Sequence, residues 1–469
     1  MNRASFKYKT VSQKWVKVIP SHWRMERLKL IFGLRKEQNN PIITDNILSL
    51  TAKQGVVPYA EKEGVGGNKP KSDLTKYNIC REGDLLVNNM NVVSGAAGVS
   101  RYTGCISPVY YPLVLRHNDN VWYYHYIFRL VSFQRSLIGL GKGILMHEND
   151  NGTLTSVRMR ISMDYLGNVL LPVPPRDEQD QIVRFLDWKV SEINKFIAIR
   201  RKEIQELRNL KNAIVSHFVI KGLNKYAEMK YSGVNWLGDV PESWRIVKLR
   251  QILHSVSEKN HPELPLLSVV REKGVIVRDV DDIESNHNYI PDDLSNYKVV
   301  RENQFVINKM KSWQGSYGVS SYTGIVSPAY FIFDIDFPNL EYFQYAIRSK
   351  SYVNFFAQAS DGIRVGQWDL QMDKMKEIPF LIPPEEEQRE IVSAIKRIQP
   401  KCDSQIDNIQ RGITILHELK NKIISDVVTG KLDVRNITIP EYEHVDDIAD
   451  EYSEADNNEE EDESTMEEE

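Results

Sequence analysis

Apolar residues line up on one helical face twice in this chain. Leu186, Val190, Ile193, Ile197, Arg200, Ile204, Leu207, Lys211, Ile214 and Phe218 follow one another at alternating spacings of four and three. Adding 209 to each number gives Ile395, Gln399, Cys402, Ile406, Ile409, Ile413, Leu416, Lys420, Ile423 and Val427. That rhythm is a coiled-coil seam of about four to five heptads in each half. A double proline precedes each seam, Pro174-Pro175 or Pro383-Pro384, with Asp177-Glu178 or Glu385-Glu386-Glu387 just behind it. Proline suits a first helical turn, and carboxylates there favour the positive end of the helix dipole. Both seams run out at a glycine able to take the left-handed stop conformation, in Lys221-Gly222-Leu223 and Gly430-Lys431-Leu432. Two long helices are predicted. Pro400 predicts a kink or a late start in the second. A seam of this length can pair with another chain, but the other copy within the same chain is the preferred partner.

Ahead of each helix the pattern changes to short Val, Ile and Tyr runs broken by Gly, Asn and Pro. Asp84-Leu85-Leu86-Val87, Val109-Tyr110-Tyr111, Gln304-Phe305-Val306-Ile307 and Tyr330-Phe331-Ile332-Phe333 read as strands, with a helical patch from Glu341 to Phe356. Each half is therefore an α+β module of about 150 residues.

The two halves repeat each other. Pro20-Ser21-His22-Trp23-Arg24 returns as Pro241-Glu242-Ser243-Trp244-Arg245, at a spacing of 221. Gly98-Val99-Ser100-Arg101-Tyr102-Thr103-Gly104 returns 220 residues later as Gly318-Val319-Ser320-Ser321-Tyr322-Thr323-Gly324. Val173-Pro174-Pro175 with Glu178-Gln179 returns 209 residues later as Ile382-Pro383-Pro384 with Glu387-Gln388. Solenoid units are far shorter, roughly 20–50 residues, so this is a duplicated module. Two related modules suit a partner with two related halves, of which duplex DNA is the commonest. Trp23 and Trp244 recur and so read as packing.

Charge sharpens this picture. The formal net charge of −4 conceals a tail from Glu441 to Glu469 with 16 acidic residues and no Lys or Arg. Without that tail, 60 basic residues stand against 48 acidic ones, a body of +12. A basic body is compatible with a polyanion partner, although a diffuse excess would serve solubility alone. The tail repels itself, holds few large apolar residues and reads as disordered. No apolar run approaches the roughly 18 residues needed to span a membrane. The first residues are polar and lack a signal peptide's apolar segment. Cys80, Cys105 and Cys402 are odd in number and widely spaced, which predicts buried thiols in a reducing, cytoplasmic setting.

Catalytic signatures do not appear. The chain has no Walker-type phosphate loop, no Gly-x-Gly-x-x-Gly fingerprint, no His-Glu-x-x-His, no Cys-x-x-Cys and no Gly-x-Ser-x-Gly elbow. An Asn-Pro-Pro-Tyr-like base-holding segment is missing too. Asp177, Asp187 and Lys189 imitate a nuclease cluster, but the other copy has Glu386, Lys396 and Ile398, so a solvated helix face is the expected reading.

Tyr231-Ser232-Gly233-Val234-Asn235-Trp236-Leu237-Gly238-Asp239-Val240-Pro241, closing at Trp244, together with Ile382-Pro383-Pro384 and Glu387-Gln388 opening a long helix, resembles the specificity subunit of type I restriction-modification systems. The resemblance covers roughly residues 13–435. The acidic tail departs from it, as does the first copy's longer stretch between Gly139 and Arg160. The resemblance implies two globular target recognition domains separated by two long antiparallel coiled-coil helices, related by a pseudo-twofold internal repeat. The divisions are then 1–172, a first helix 173–223, 224–381, a second helix 382–435 and a tail 436–469. Each recognition domain would read one half of a bipartite asymmetric site in double-stranded DNA, with the helices setting the gap. A helix of about 45 residues is roughly 68 Å long, more than the roughly 34 Å between half-sites one DNA turn apart. The resemblance also implies no active site and no cofactor in this chain. Two methyltransferase and two restriction-translocase subunits would dock, bringing S-adenosylmethionine, ATP and magnesium with them. Two other functions stay open: a fused polypeptide with catalysis in cis, and a coiled-coil scaffold without nucleic acid.

Modules that read different sequences should share their scaffold and differ where they touch bases. Three stretches differ. The first is Pro58–Asp73, with Lys69 and Lys71, against Val277–Asp293, with Arg278. The second is Asn88-Asn89-Met90-Asn91 against Asn308-Lys309-Met310-Lys311, with Trp313 and Gln314 behind. The third runs from Gly141-Lys142-Gly143 to Arg158 and Arg160, against Gly362-Ile363-Arg364 and Gln367. Arg and Lys match guanine edges and phosphates, Asn and Gln match adenine. The candidate DNA-binding set is thus Lys69, Lys71, Asn88, Asn91, Lys142, Arg158, Arg160, Arg278, Lys309, Lys311, Trp313, Gln314, Arg364 and Gln367. Taken singly, each reads first as an ordinary polar surface residue; Trp313 could stack or wedge, but a lone Trp is more often a core residue or a loop anchor. As sets, the stretches are the expected reading elements.

Overall fold

The computed structural model describes residues 7–51, 54–62, 70–144, 158–234, 237–271, 273–278, 291, 293–364 and 367–446. Contacts divide the chain into two units, one of Met1–Arg201 with Ile409–Glu451, the other running from Lys202 to Asn408. Both long helices are shared between them.

The core of unit 1 is a four-stranded antiparallel sheet in the order Phe32–Leu34, Tyr110–Leu115, Leu85–Asn88, Ala97–Val99. Leu85 to Asn88 are all buried, as expected of a strand covered on both faces. Successive side chains take opposite faces. Leu85 and Val87 join the large cluster with the helices Val121–Phe128 and Val131–Leu137. Leu86 joins a second cluster with Leu48, Leu50 and Val56 of a hairpin, Leu48–Thr51 with Gly55–Pro58. Unit 2 repeats the plan. Its sheet order is Leu253–Val256, Tyr330–Ile335, Phe305–Asn308, Tyr317–Val319. Phe305 and Ile307 face the helices Leu340–Ile347 and Lys350–Gln358, while Val306 faces the hairpin residues Leu267, Val269 and Val275. The helical patch read from Glu341 to Phe356 is therefore two helices. Ser349, in extended conformation (ψ 152°), separates them.

The long helices run Arg176–Lys221 and Glu385–Val428. Of the 20 seam residues only Arg200 is exposed, so the periodicity marks an inward face. Pro400 does not delay the second helix, which starts fifteen residues earlier and passes through it. It lies exposed, where water can serve the carbonyl left without a backbone donor. Gly222 and Gly430 follow the helices with φ of +74° and +71°. A Cβ at Gly222 would collide with Glu387 and Trp244, and one at Gly430 with Pro20 and Trp23. Glycine is required at both stops for backbone and for space.

The three cysteines are buried thiols. Among the described residues, no helix is long and apolar enough to cross a membrane. The tail from 447 onward, and most of the first copy's extra stretch, lie outside the described residues.

Candidate nucleic-acid interface

The repeated residues build a frame. Trp23 and Trp244 are each 1% exposed. Their indole N–H groups donate to Oε2 of Glu178 and Glu387, both at 2.8 Å. The following Gln179 and Gln388 are buried and donate to the carbonyls of Pro174 and Pro383, at 3.0 and 2.9 Å. The recurring Trp, Pro-Pro and Glu-Gln motifs thus form one clamp. It fixes each module to the start of its long helix.

Strands Leu85–Asn88 and Phe305–Asn308 leave this frame and deliver a loop. Asn88 and Asn308 turn their side chains inward, each Oδ1 accepting from the backbone N–H two residues on, Met90 or Met310, at 3.0 Å. Asn88, one of the candidate residues, is 8% exposed, and its amide oxygen shapes the loop. Its recurrence as Asn308 was the available signal. A short turn follows in each copy, Val92–Ser94 or Ser312–Gln314.

The third stretch is a hairpin in each copy. Lys142–Ile144 pairs with Arg158–Arg160, Lys142 opposite Arg160 and Ile144 opposite Arg158. Ser360–Arg364 pairs with Gln367–Leu370, Arg364 opposite Gln367. A single backbone hydrogen bond ties hairpin to loop at equivalent places, Ile161 N–H to Asn89 O at 2.9 Å and Leu370 N–H to Lys309 O at 3.1 Å. The second and third stretches are therefore brought together twice. Asn91 and Arg160 are exposed there. The side chains of Lys142, Arg158, Arg364 and Gln367 lie outside the described residues, as does Lys69.

In unit 2 the contact is furnished differently. Lys309 Nζ lies 2.9 Å from Asp369, which occupies much of its charge. Trp313 packs on Trp368 with ring centroids 5.7 Å apart and planes 31° from parallel. Trp313 thus packs between loop and hairpin. Its buried Nε1 and the buried Oε1 of Gln314 have no hydrogen-bond partner among the described residues. Lys311 is half-buried with no ion pair among the described residues. Trp368 and Asp369 went unnoticed in the sequence because the first copy offers no matching Trp.

The first stretch is set apart. Exposed Lys71 donates its backbone N–H to the Tyr77 hydroxyl, beside a small cluster with Ile79. Among the described residues no hydrogen bond or ion pair ties it to the loop or hairpin. Half-buried Arg278 follows strand Gly274–Val277, and its backbone N–H donates to Leu266 O at 2.8 Å.

The imitation of a nuclease cluster dissolves, though not into a solvated face. Asp187 is half-buried and accepts from the Tyr126 hydroxyl at 2.6 Å. Burial pushes its carboxyl upward, against the opposing effects of that hydroxyl, His444 and Arg101. Lys189 covers the Trp188 ring at 3.5 Å and pairs with Glu192. Asp177 is exposed, away from this contact.

No protein-family model matches the chain. Over 289 residues it is 24% identical to the type I restriction enzyme MjaVIII specificity subunit of Methanocaldococcus jannaschii, covering 58% of this chain and 64% of that protein. It is also 24% identical over 240 residues to the same organism's putative type I restriction enzyme MjaX specificity subunit, covering 49% and 52%. The chain thus spans just under two thirds and about half of these curated relatives. The fold is shared with a chain solved in work on complex assembly and conformational transition of the type I R-M system. That match has a TM-score of 0.58 and 14% identity, and covers 88% of this chain and 99% of the other. The chain is similar in sequence to type I restriction specificity subunits, and it shares the fold of that solved chain.

Proposed function

We propose that this chain is the DNA-reading specificity subunit of a type I restriction-modification complex, without catalysis of its own. The observation that carries this is the doubled reading edge: one clamp and one loop-to-hairpin bond, built twice, presenting different side chains. Each module would read one half of a bipartite, asymmetric site in double-stranded DNA. The recognition domains would occupy 1–172 and 224–381, related by a pseudo-twofold repeat. The long helices between them would pair antiparallel as a coiled-coil strut. Lys420 Nζ to Asn194 Oδ1 at 3.3 Å in unit 1, and Lys211 to Asp403 at 2.7 Å in unit 2, support that register, because both pairs sum to 614. Two methyltransferase and two restriction-translocase subunits would dock in the cytoplasm and bring S-adenosylmethionine, ATP and magnesium.

The test is a methylome of cells carrying this gene with its methyltransferase partner. Exchanging residues 20–170 for a relative's should change one half of the methylated motif and leave the other. Inserting four residues after Leu207 adds about 6 Å of helix and should lengthen the gap by one or two base pairs. Both halves changing together would refute the assignment of one module to each half-site.

A further inference from the structure

The second module holds a group of cations that its own contacts do not neutralise. Lys259 and Lys298 face each other across an isolated antiparallel bridge. Directly opposed side chains lie about 5 Å apart at Cβ, and like charges placed there are destabilising. Lys298 opens the strand Lys298–Val300 and is half-buried, with its Nζ donating to Tyr330 O at 2.7 Å. Tyr330 stands opposite Asn308, the last strand residue before the loop, so the Lys298 ammonium lies at the root of that loop. Lys309 is the next residue along. Burial, and after it the charges of Lys259 and Lys309, lower the Lys298 ammonium from its ordinary value.

Relief from within the chain is partial. Asp369 holds Lys309 at 2.9 Å. Neither Lys259 nor Lys298 has an ion-pair partner among the described residues. Glu258, beside Lys259, is engaged by Arg301 at 2.7 Å. Among the described residues, three cations therefore share one carboxylate.

The first module shows that the fold does not require these charges. Its matching bridge joins Gln38 to Asn78, both neutral. The residue after the buried Asn88 is Asn89, also buried, in the place of Lys309. Arg160 stands at the Asp369 position, one residue before the bond that ties hairpin to loop. Amides build the same bridge without repulsion. What the lysines add is an unmet demand for an anion.

We propose that Lys259, Lys298 and Lys309 form an anion site for a backbone phosphate of the second half-site, with no counterpart in the first module. This rests on the DNA-reading function above. A lysine ammonium grips phosphate as a point charge, and a bound phosphate removes the repulsion between the opposed pair. Phosphates are the same in every sequence, so the site positions the second module's loop without choosing a base. The two modules are then unequal, and the second carries more of the salt dependence.

Full-length variants test this, with a random-sequence duplex followed by anisotropy from about 50 to 200 mM salt. Lys259→Gln combined with Lys298→Asn installs the first module's own neutral pair and leaves Lys309 in place. Each phosphate-binding cation lost lowers the salt slope by about one. The double variant should therefore lower it by about two, binding roughly tenfold more weakly at about 50 mM and nearly as well as the parent at about 200 mM. Lys259→Gln alone, at an exposed position, should lower the slope by about one. Lys202→Gln combined with Lys225→Gln removes the same charge from exposed positions elsewhere in unit 2, and should keep the parent's slope. An unchanged slope in the first double variant, or an equal fall in the second, would overturn this inference alone. Inorganic phosphate bound by the parent and lost by the first double variant, with the duplex slope unchanged, would mark a small-anion site and overturn it too. No DNA binding by the parent chain would overturn the DNA-reading function, and the inference with it.

Discussion

The starts of the two long helices solve one packing problem with one set of parts and then diverge. In both, a buried Trp donates to a Glu and a buried Gln closes on a proline carbonyl. Around Glu178, however, His22 adds a contact at 2.7 Å and Arg435 lies 4.0 Å away. Around Glu387 the indole hydrogen bond is the one recorded among the described residues. Unit 1 thus reinforces its clamp with Arg435 from the segment that returns after Gly430, whereas in unit 2 the positions equivalent to the buried Gln181, Ser191 and Asn194, namely Glu390, Pro400 and Asp403, are exposed. What is duplicated holds the module to its helix. What differs lies in the edge formed by loop and hairpin and in the chain's return path.

The largest effect should come from breaking the clamp. Trp23→Ala or Trp244→Ala should each cost about 3–5 kcal/mol, the usual range for emptying a large buried aromatic site. Urea unfolding followed by circular dichroism measures this. The phenylalanine variants sharpen the comparison. Each keeps most of the ring but removes the donor, leaving a half-buried carboxylate short of a partner at roughly 1–3 kcal/mol. Trp244→Phe should cost more than Trp23→Phe, because Glu178 retains His22. Equal costs would show that the extra contacts around Glu178 are idle.

Much of this was legible beforehand. The spacing of apolar residues located both helices, since a period near 3.5 over several heptads has few other physical outcomes. The internal repeat separated frame from variable stretches without any relative for comparison. Three things escaped. Asn88 stands among the candidate readers, yet its amide oxygen turns inward at the end of a buried strand, which residue type alone does not signal. Asp187 was taken as solvated, because its partner Tyr126 lies 61 residues away. The segment returning after Gly430 packs on Gln181, Ser191 and Asn194, which hydrogen-bond its backbone carbonyls and one N–H from 251 to 256 residues distant. Such bonds leave no residue-type signature.

A smaller effect should separate Lys311 from Lys309. Both belong to the second module's loop, yet Lys309 is held by Asp369. Lys311→Ala should weaken binding of every sequence and lower the salt slope by about one, as loss of one phosphate contact does. Lys309→Ala should change that slope less, since its charge is already shared. Affinity measured from about 50 to 200 mM salt decides between them. If Lys309 proved the larger contributor, its ion pair would have to open on DNA.

The smallest and most discriminating effect concerns the two inward asparagines. Asn88→Ala and Asn308→Ala each remove the acceptor for one loop N–H, Met90 or Met310. An unsatisfied backbone donor costs roughly 1–3 kcal/mol, towards the lower end where water can reach it. Asn308 also donates to the buried Tyr330 hydroxyl at 3.2 Å, so the second substitution should cost somewhat more. Neither should alter the base preference of its module, because neither amide faces outward. The arginine and lysine positions of the hairpins, by contrast, should change the preferred base or weaken binding with stability nearly unchanged. The methylated motif of an Asn88→Ala strain is the measurement. A changed base at one motif position, with unchanged stability, would return Asn88 to the reading set and mean that the loop rearranges on the duplex.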